Sequence, residues 1–219
     1  MWIFQAIASH GKTAMKFISV IPFLLHSLSC SNYSPEIVYR LSAVEKTFEE
    51  EELARIKSYA STAKQFCEEK NYNDKIFFLI DMSVHSGKKR FFIYDIQADS
   101  VVGSSLVAHG ACGNSFLPDA QFSNQPGCGC TSLGKYKIAN KYRGRFGDAY
   151  KLQGLDSSNS NAFIRTIVLH SYYEVPDNET YPDPICNSLG CPMVSENFMK
   201  QLETKIDRSP KPVLLWIVH

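Results

Sequence analysis

Cys191 and His170 are the residues of this 219-residue chain whose chemistry points to a nucleophile and its base. Cys191 follows Gly190, which permits a tight backbone turn, and consecutive amide N–H groups at such a turn can point at an oxyanion. A thiol becomes a nucleophile when a base takes its proton, and histidine is the usual base. The pair predicts acyl transfer through a cysteine.

His170 follows the apolar run 163–169, which predicts a strand that holds the imidazole at its end. The segment between His170 and Cys191 contains three prolines, so it predicts a loop that can fold back and bring the two side chains together. Considered alone, each side chain is more often structural, as a hydrogen-bonded core histidine or a small buried cysteine. Their combination favours a catalytic pair.

The other cysteines raise the alternatives of metal binding and disulfide formation. Cys112, Cys128, Cys130 and Cys186 could form a tetrathiolate zinc site, but zinc sites usually present two cysteine pairs at a spacing of roughly two to four residues. Only Cys128 and Cys130 form a tight pair, so we expect no metal and no cofactor. Disulfides are expected if the chain is exported, with their pairing left open, and Cys67 is expected to be packed on a helix.

The elements that must position these residues are mostly strands. Residues 47–70 carry apolar side chains at helical steps after a run of glutamates, which predicts an amphipathic packing helix. Short β-branched or aromatic runs between Gly, Asn, Ser or Asp predict strands at 76–81, 90–96, 101–108, 136–139, 149–155, 163–170 and 213–218. A second helix is predicted at 195–206. The predicted fold class is mainly β with flanking helices (α+β), with residues 71–219 as the main domain.

Residues 1–30 have the composition of an export signal. Met15, a candidate start, precedes a lysine and a short apolar stretch that ends in small residues. Leu28-Ser29-Cys30 resembles the end of a bacterial lipobox, which makes Cys30 a candidate for lipidation and membrane anchoring, with ordinary cleavage and a retained apolar anchor as the alternatives. All three place the rest of the chain outside the cytoplasm, in the periplasm or cell envelope, and residues 31–46 would form a tether.

The charge balance argues against nucleic-acid binding. The chain has 23 basic and 22 acidic side chains, which give a formal charge of +1, and it has no run of Lys and Arg. Near-neutrality is compatible with a zwitterionic peptide as substrate without arguing for one.

The spacing of the proposed pair resembles a known catalytic signature. His170-Ser171, sixteen further residues and Ser188-Leu189-Gly190-Cys191 resemble the His-X, gap, Ser/Thr-X-Gly-Cys pattern of L,D-transpeptidase catalytic domains. Ordered blocks resemble one branch, the murein L,D-transpeptidase catalytic-domain family, and these blocks are Val107-Ala108-His109-Gly110, Phe122-Ser123-Asn124, Ser132–Tyr136, Tyr142–Gly147, Leu152–Leu155 and Ile167–His170. The resemblance covers about Phe77 to Val194, and several ordered blocks are more specific than one short motif.

The resemblance implies a fold and a role for individual residues. The fold would be an L,D-transpeptidase-like β-sandwich in which Cys191 is the nucleophile and His170 takes the thiol proton. The backbone carbonyl of Ser171 would accept a hydrogen bond from the other ring nitrogen. The N–H groups of Gly190 and Cys191 would receive the oxyanion.

Two further residues are expected at the substrate cleft. Ser188 would order the turn there rather than react. His109 belongs to one of the resembling blocks, and it is expected either in the cleft or as a structural histidine whose ring bonds a nearby carbonyl.

The implied substrate is the peptide stem of peptidoglycan. Cys191 would attack the carbonyl of an L,D bond, usually after meso-diaminopimelate, release D-alanine and pass the acyl group to an amine. Leu189 and Pro192-Met193 depart from the residues common in the wider family, which leaves both the recognised stem and the acceptor open. An L,D-carboxypeptidase, with water as acceptor, and a non-catalytic wall-binding lipoprotein are the alternatives.

Overall fold

The computed structural model describes residues 35–219, with side chains from Glu50 onward. The expected export signal, its candidate start Met15 and the candidate lipidation residue Cys30 lie outside the described residues. Residues Glu45–His219 form one compact unit, which contains the sheet. None of the helices in the described part is long and apolar enough to cross a membrane.

The first helix, α1, spans Pro35–Lys70 and begins earlier than the predicted start at residue 47. The residues from Pro35 to Lys46, which were expected in a tether, are therefore helical. Proline is tolerated in the first turn of a helix because its missing N–H would have no intrahelical acceptor there. No glycine or further proline interrupts residues 36–46.

One side of α1 packs on the sheet. Its buried side chains recur at steps of three and four residues, and they are Ile56, Ala60, Ala63 and Cys67. They share one apolar cluster with sheet residues that include Phe77 and Leu79. The small alanines allow the helix to approach this face of the sheet closely.

Eight strands form one mixed sheet. In chain order they are β1 (Ile76–Asp81), β2 (Phe91–Asp95), β3 (Ser100–Ser105), β4 (Gly134–Gly144), β5 (Gly147–Gly154), β6 (Val168–Ser171), β7 (Met193–Val194) and β8 (Leu214–Val218). Their order across the sheet is β3-β2-β1-β8-β4-β5-β6-β7, and the pairs β1–β8 and β6–β7 are parallel. The predicted fold class, mainly β with flanking helices, is confirmed.

The sequence of β1 explains why the sheet is covered on both faces. Phe78 and Ile80 lie in the main core cluster, whereas Phe77 and Leu79 lie in the cluster beneath α1. Successive side chains of a strand point to opposite faces, so this continuous apolar run is buried on both sides.

The second helix, α2, covers the face opposite α1. It spans Glu196–Asp207, close to the predicted 195–206. The Ser195 hydroxyl accepts the N–H of Phe198 at 3.2 Å and so caps the first turn. Phe198 and Leu202 lie in the main core cluster.

The predicted strand at 163–170 is wrong over its first half. Strand β6 begins at Val168, and residues 160–166 form turns after a short 3₁₀ helix, Ser157–Asn159. Phe163 and Ile164 are 70% and 72% exposed, so this part of the apolar run is not a buried strand. The sequence does not predict β7, because two residues are too few to show an alternating pattern.

Candidate active site

The sheet places the predicted base within a row of side chains. His170 on β6 is paired with Ala149 on β5 and Met193 on β7, and Ala149 is paired with Tyr142 on β4. Residues paired directly across neighbouring strands share a face of the sheet. All four line a cavity of about 670 Å³, and Cys191 lines the same cavity. The two residues predicted to meet are therefore brought to one site.

The imidazole of His170 is oriented by the next residue in the chain. Its Nδ1 lies 2.9 Å from the backbone carbonyl oxygen of Ser171. A carbonyl oxygen only accepts, so Nδ1 carries the proton and Nε2 keeps its lone pair. Burial lowers the pKa of His170 below its ordinary value of 6.5, and the bond to Ser171 acts in the opposite direction. The ring is therefore a neutral base near pH 7.

The ring plane of His170 is held by an aromatic neighbour that is not among the predicted site residues. Phe146 stacks on the imidazole with centroids 5.3 Å apart and an interplanar angle of 17°. Tyr172 meets Phe146 edge-on at 5.4 Å. Phe146 lies within Tyr142–Gly147, one of the blocks that carry the family resemblance, and that block is the signal that could have located it.

Cys191 is flanked by backbone groups and by a cation. Its Sγ donates to the carbonyl oxygen of Thr166 at 3.9 Å. Burial raises the pKa of the Cys191 thiol above its ordinary value of 9.0, while a hydrogen bond from the Val168 backbone and the charge of Arg165 lower it. A raised thiol pKa and a lowered imidazole pKa favour a neutral pair at rest over a thiolate–imidazolium pair.

Gly190 shapes the turn that carries Cys191. Its φ of +110° is one that L side chains rarely adopt, and a Cβ there would lie 2.6 Å from the carbonyl oxygen of Cys130. The Gly190 N–H donates to Ser188 Oγ at 3.0 Å. In this structure the N–H is therefore bound by Ser188, and its use for the oxyanion stays a prediction. Among the described residues, the N–H of Cys191 has no protein acceptor and is available.

Ser188 has a structural place in the turn. Its N–H donates to the carbonyl oxygen of His109 at 2.8 Å, and its own carbonyl accepts the N–H of Ala111 at 2.9 Å. Ser188 lines the cavity, but its hydroxyl is engaged with Gly190. It orders the turn rather than presenting a free hydroxyl to a substrate.

His109 is fully buried and does not line the cavity. Arg90 Nη2 donates to Nδ1 of His109 at 2.8 Å, and Nε2 of His109 donates to the carbonyl oxygen of Leu117 at 3.0 Å. Burial and the charge of Arg90 lower the pKa of His109 to about 4. The structure therefore places His109 outside the cavity, bonded to a carbonyl as a structural histidine would be, rather than at the substrate cleft.

Asn187 connects this buried network to the turn. Its Nδ2 donates to the Leu117 carbonyl at 3.0 Å, and its Oδ1 accepts the Leu117 N–H at 2.7 Å. Asn187 directly precedes Ser188, and Leu117 directly follows the cavity-lining Phe116. These bonds join segments 70 residues apart, so no local sequence signal reports them.

The remaining cysteines divide into one disulfide and free thiols. Cys112 and Cys130 form a disulfide, so the zinc alternative is wrong because two of its four thiolates are unavailable. Cys128 and Cys186 are free, and no group of three or more His, Cys, Asp or Glu among residues 50–219 is placed to hold a metal. Cys67 is packed on α1, where burial raises its pKa to about 12.

A family model described as the L,D-transpeptidase catalytic domain matches residues 49–214, and no curated protein matches the chain. Similar solved structures include the L,D-transpeptidase from Xylanimonas cellulosilytica DSM 15894, with 14% identity, a TM-score of 0.38, and coverage of 70% of this chain and 68% of that one. The L,D-transpeptidase from Mycobacterium smegmatis has 10% identity, a TM-score of 0.40, and coverage of 66% and 59%. The helical cell shape determining protein Pgp2 from Campylobacter jejuni has 14% identity, a TM-score of 0.42, and coverage of 65% and 46%.

The chain spans less than two thirds of the length of the second and third of these proteins. At these identities and TM-scores, the structural similarity does not assign a role to any residue of the site. The family match covers well over half of the chain and includes both His170 and Cys191. This chain therefore belongs to the L,D-transpeptidase catalytic domain family.

Proposed function

We propose that this chain is a peptidoglycan L,D-transpeptidase that forms an acyl-enzyme on Cys191. The observation that carries the proposal is that Cys191 and His170 line one cavity, while the bond from Nδ1 of His170 to Ser171 leaves Nε2 as the base. Family membership supports peptide stems of peptidoglycan as the substrate class. The resemblance implies cleavage after meso-diaminopimelate.

In the first half-reaction, Sγ of Cys191 attacks the stem carbonyl carbon while the thiol proton passes to Nε2 of His170. The oxyanion of the tetrahedral intermediate accepts the N–H of Cys191. The imidazolium then gives its proton to the nitrogen of D-alanine, and the C–N bond breaks. A thioester on Cys191 remains, and His170 is neutral again.

In the second half-reaction, an amine of another stem attacks the thioester carbonyl and gives its proton to His170. The proton returns to Sγ as the C–S bond breaks, and the new amide is the cross-link. Exposed apolar side chains that line the cavity favour an amine over water, because they exclude water from the thioester once a stem is bound. These side chains are Phe116, Tyr142, Phe146 and Leu189.

We also propose that this reaction takes place in the periplasm or cell envelope. The support is the signal-like composition of residues 1–30, with Cys30 as the proposed site of lipidation. Mass spectrometry of the N-terminal peptide of the mature protein tests this point. A lipid-modified Cys30 is expected, and a mature protein that still begins at Met1 or Met15 would contradict export by cleavage.

Product analysis tests the proposed function. The chain is incubated with disaccharide tetrapeptides, and we expect D-alanine and a cross-linked dimer by mass spectrometry. The C191A variant should give neither product, whereas C128S, which changes a free thiol outside the cavity, should behave as wild type.

The other outcomes assign the alternatives. A trimmed monomer without any dimer would identify an L,D-carboxypeptidase. Binding to sacculi without products, equal in wild type and C191A, would identify a non-catalytic wall-binding protein.

A further inference from the structure

The β4–β5 hairpin ends at the cavity in a two-residue tip. Gly144 pairs with Gly147, whose φ is +92°, so the chain reverses within Arg145 and Phe146. Both tip residues line the cavity. Because Phe146 stacks on His170, the position of the tip is tied to the proposed base.

Arg145 brings a positive charge to this place. Its Cζ lies 5.4 Å from the centre of the Phe146 ring, within the range of a cation–π contact. Among residues 50–219, Arg145 has no carboxylate within ion-pair distance. The Phe146 ring therefore contacts both the guanidinium of Arg145 and the imidazole of His170, and no carboxylate of residues 50–219 neutralises the guanidinium charge.

Glu174 brings a carboxylate to the same cavity. It follows Tyr172 by two residues, and the Tyr172 ring meets Phe146 edge-on at 5.4 Å. Within the described part of the chain, Glu174 has no ion-pair partner either, so it is not neutralised by Arg145. Neither of the two opposite charges is therefore neutralised by a charged side chain of residues 50–219.

The rest of the cavity lining carries no net charge near pH 7. His170 is neutral because burial lowers its pKa, and the thiols of Cys186 and Cys191 are protonated because burial raises theirs. No Lys or Asp is among the lining residues. A cavity with one isolated cation and one isolated anion is complementary to a ligand that carries both charges.

We propose that Arg145 and Glu174 are specificity residues that bind a zwitterionic side-chain end in the donor stem. Arg145 binds the carboxylate through its planar guanidinium, and Glu174 binds the ammonium. A diamino dicarboxylic acid such as meso-diaminopimelate presents both groups at the end of its side chain, whereas lysine presents only the ammonium. This inference rests on the proposed function.

The role of Arg145 is tested with tetrapeptide stems that carry or lack the side-chain carboxylate. The R145Q variant should lower kcat/KM about tenfold for a meso-diaminopimelate tetrapeptide, the loss expected for one charge-assisted hydrogen bond. It should leave kcat/KM unchanged for the side-chain carboxamide and for the lysine tetrapeptide. R143Q changes an exposed arginine on β4, two residues before Arg145, that does not line the cavity, and it should leave kcat/KM unchanged for all three stems.

Glu174 is tested with the opposite charge. E174Q should lower kcat/KM for all three of these stems, because each carries the ammonium, and it should have no effect on a stem whose side-chain amine is acetylated. An equal loss on every stem, or no loss on any, would overturn the inference for the residue concerned.

A binding measurement separates this inference from the proposed function. In the C191A background, calorimetry with the same stems should show that R145Q raises Kd for the meso-diaminopimelate stem alone. Absence of turnover by the wild type would refute the proposed function and leave this test intact. Equal Kd values for C191A with and without R145Q would refute the inference.

Discussion

The proton on Nδ1 of His170 decides which ring nitrogen can act as a base. The carbonyl of Ser171 binds that proton at 2.9 Å, so Nε2 alone has a free lone pair. Burial favours the neutral forms of both His170 and Cys191. A pair of this kind ionises during the attack on a carbonyl rather than before it.

The lowered pKa of His170 predicts the acid side of the pH profile. Protonation of Nε2 removes the base, so kcat/KM should fall as the pH falls, with its half-point below 6.5. The raised pKa of Cys191 predicts no further rise in kcat/KM between about pH 7 and pH 8 from thiolate formation.

The profile is measured as D-alanine release from a tetrapeptide stem, under conditions in which the chain stays folded. A half-point above 6.5 would mean that the pKa of His170 is raised rather than lowered in the folded chain. That result would contradict a neutral pair at rest.

Residue types and spacing predict a Cys191–His170 pair, and the structure places both side chains at one cavity, because a strand end and a turn position them. They do not predict that the Gly190 N–H donates to a side chain, Ser188 Oγ. They also leave two alternatives for His109, because its hydrogen-bond partners come from distant segments. Hydrogen-bond partners of this kind are set by the tertiary fold.

At the level of elements, the turn 188–191 packs against Cys130, one of the two residues of the disulfide. A Cβ on Gly190 would meet the Cys130 carbonyl oxygen at 2.6 Å and Arg165 Nη2 at 3.0 Å. Arg165 also donates to the carbonyl of Ser123 at 2.8 Å and to that of Cys130. The turn therefore has no room for a side chain at position 190.

This contact predicts the effect of the G190A variant. The left-handed φ and the clash with Cys130 should lower the free energy of unfolding by about 1–3 kcal/mol. Displacement of Cys191 should lower kcat/KM by more than about tenfold, because acyl transfer depends on the position of the nucleophile. Urea unfolding and D-alanine release measure the two effects.

Gly127 offers the matched control. Its φ is +77°, and a Cβ there would have no neighbour within 4 Å. G127A should therefore lose some stability but keep the wild-type kcat/KM. Equal activity of G190A and G127A would contradict the role assigned to the turn.

The strand prediction at 163–170 failed because an apolar run of this length occurs both in buried strands and in exposed turns. Phe163 and Ile164 continue the apolar pattern of β6, but they lie in exposed turns, and pairing with β5 starts at Val168. A short apolar run cannot distinguish these cases. The early start of α1 has another cause, since residues 36–46 mix polar and apolar side chains and contain no glycine or proline that would keep a helix from starting before residue 47.

At the level of the whole molecule, Arg90 is a buried cation whose direct partners are neutral. It donates to the carbonyls of Val107 at 2.8 Å and Val84 at 3.0 Å, and to His109 at 2.8 Å. Burial lowers the pKa of Arg90 to about 10. Protonation of His109 would place a second buried cation beside it, so the folded state requires neutral His109.

His109 therefore predicts a loss of stability in acid. Its pKa is about 4 in the folded chain and near its ordinary 6.5 in the unfolded chain, so the unfolded state binds more protons between these values. Its stabilising contribution is present above pH 6.5 and is lost as the pH falls toward 4, by up to about 3 kcal/mol.

The H109Q variant isolates this contribution because it lacks the titrating group. The difference in unfolding free energy between wild type and H109Q should shrink as the pH falls through this window. Urea unfolding at several pH values measures it. A difference that does not change with pH would contradict the buried neutral state of His109.

The overall fold class follows from the alternating strands and the two helices, but the sheet order does not. Phe78 on β1 pairs with Leu215 on β8 in parallel, and this pairing joins the two ends of the domain. No local pattern reports such a long-range pair. The cavity depends on that order, because β4, β5, β6 and β7 must be neighbours for their side chains to line it.

The covalent intermediate tests the central claim most directly. The wild-type chain is mixed with a tetrapeptide stem in the absence of an acceptor, quenched in acid and digested for mass spectrometry. We predict that the peptide containing Cys191 carries the acyl group of the stem without its terminal D-alanine. Release of D-alanine with no adduct on Cys191, and undiminished release by C191A, would contradict it.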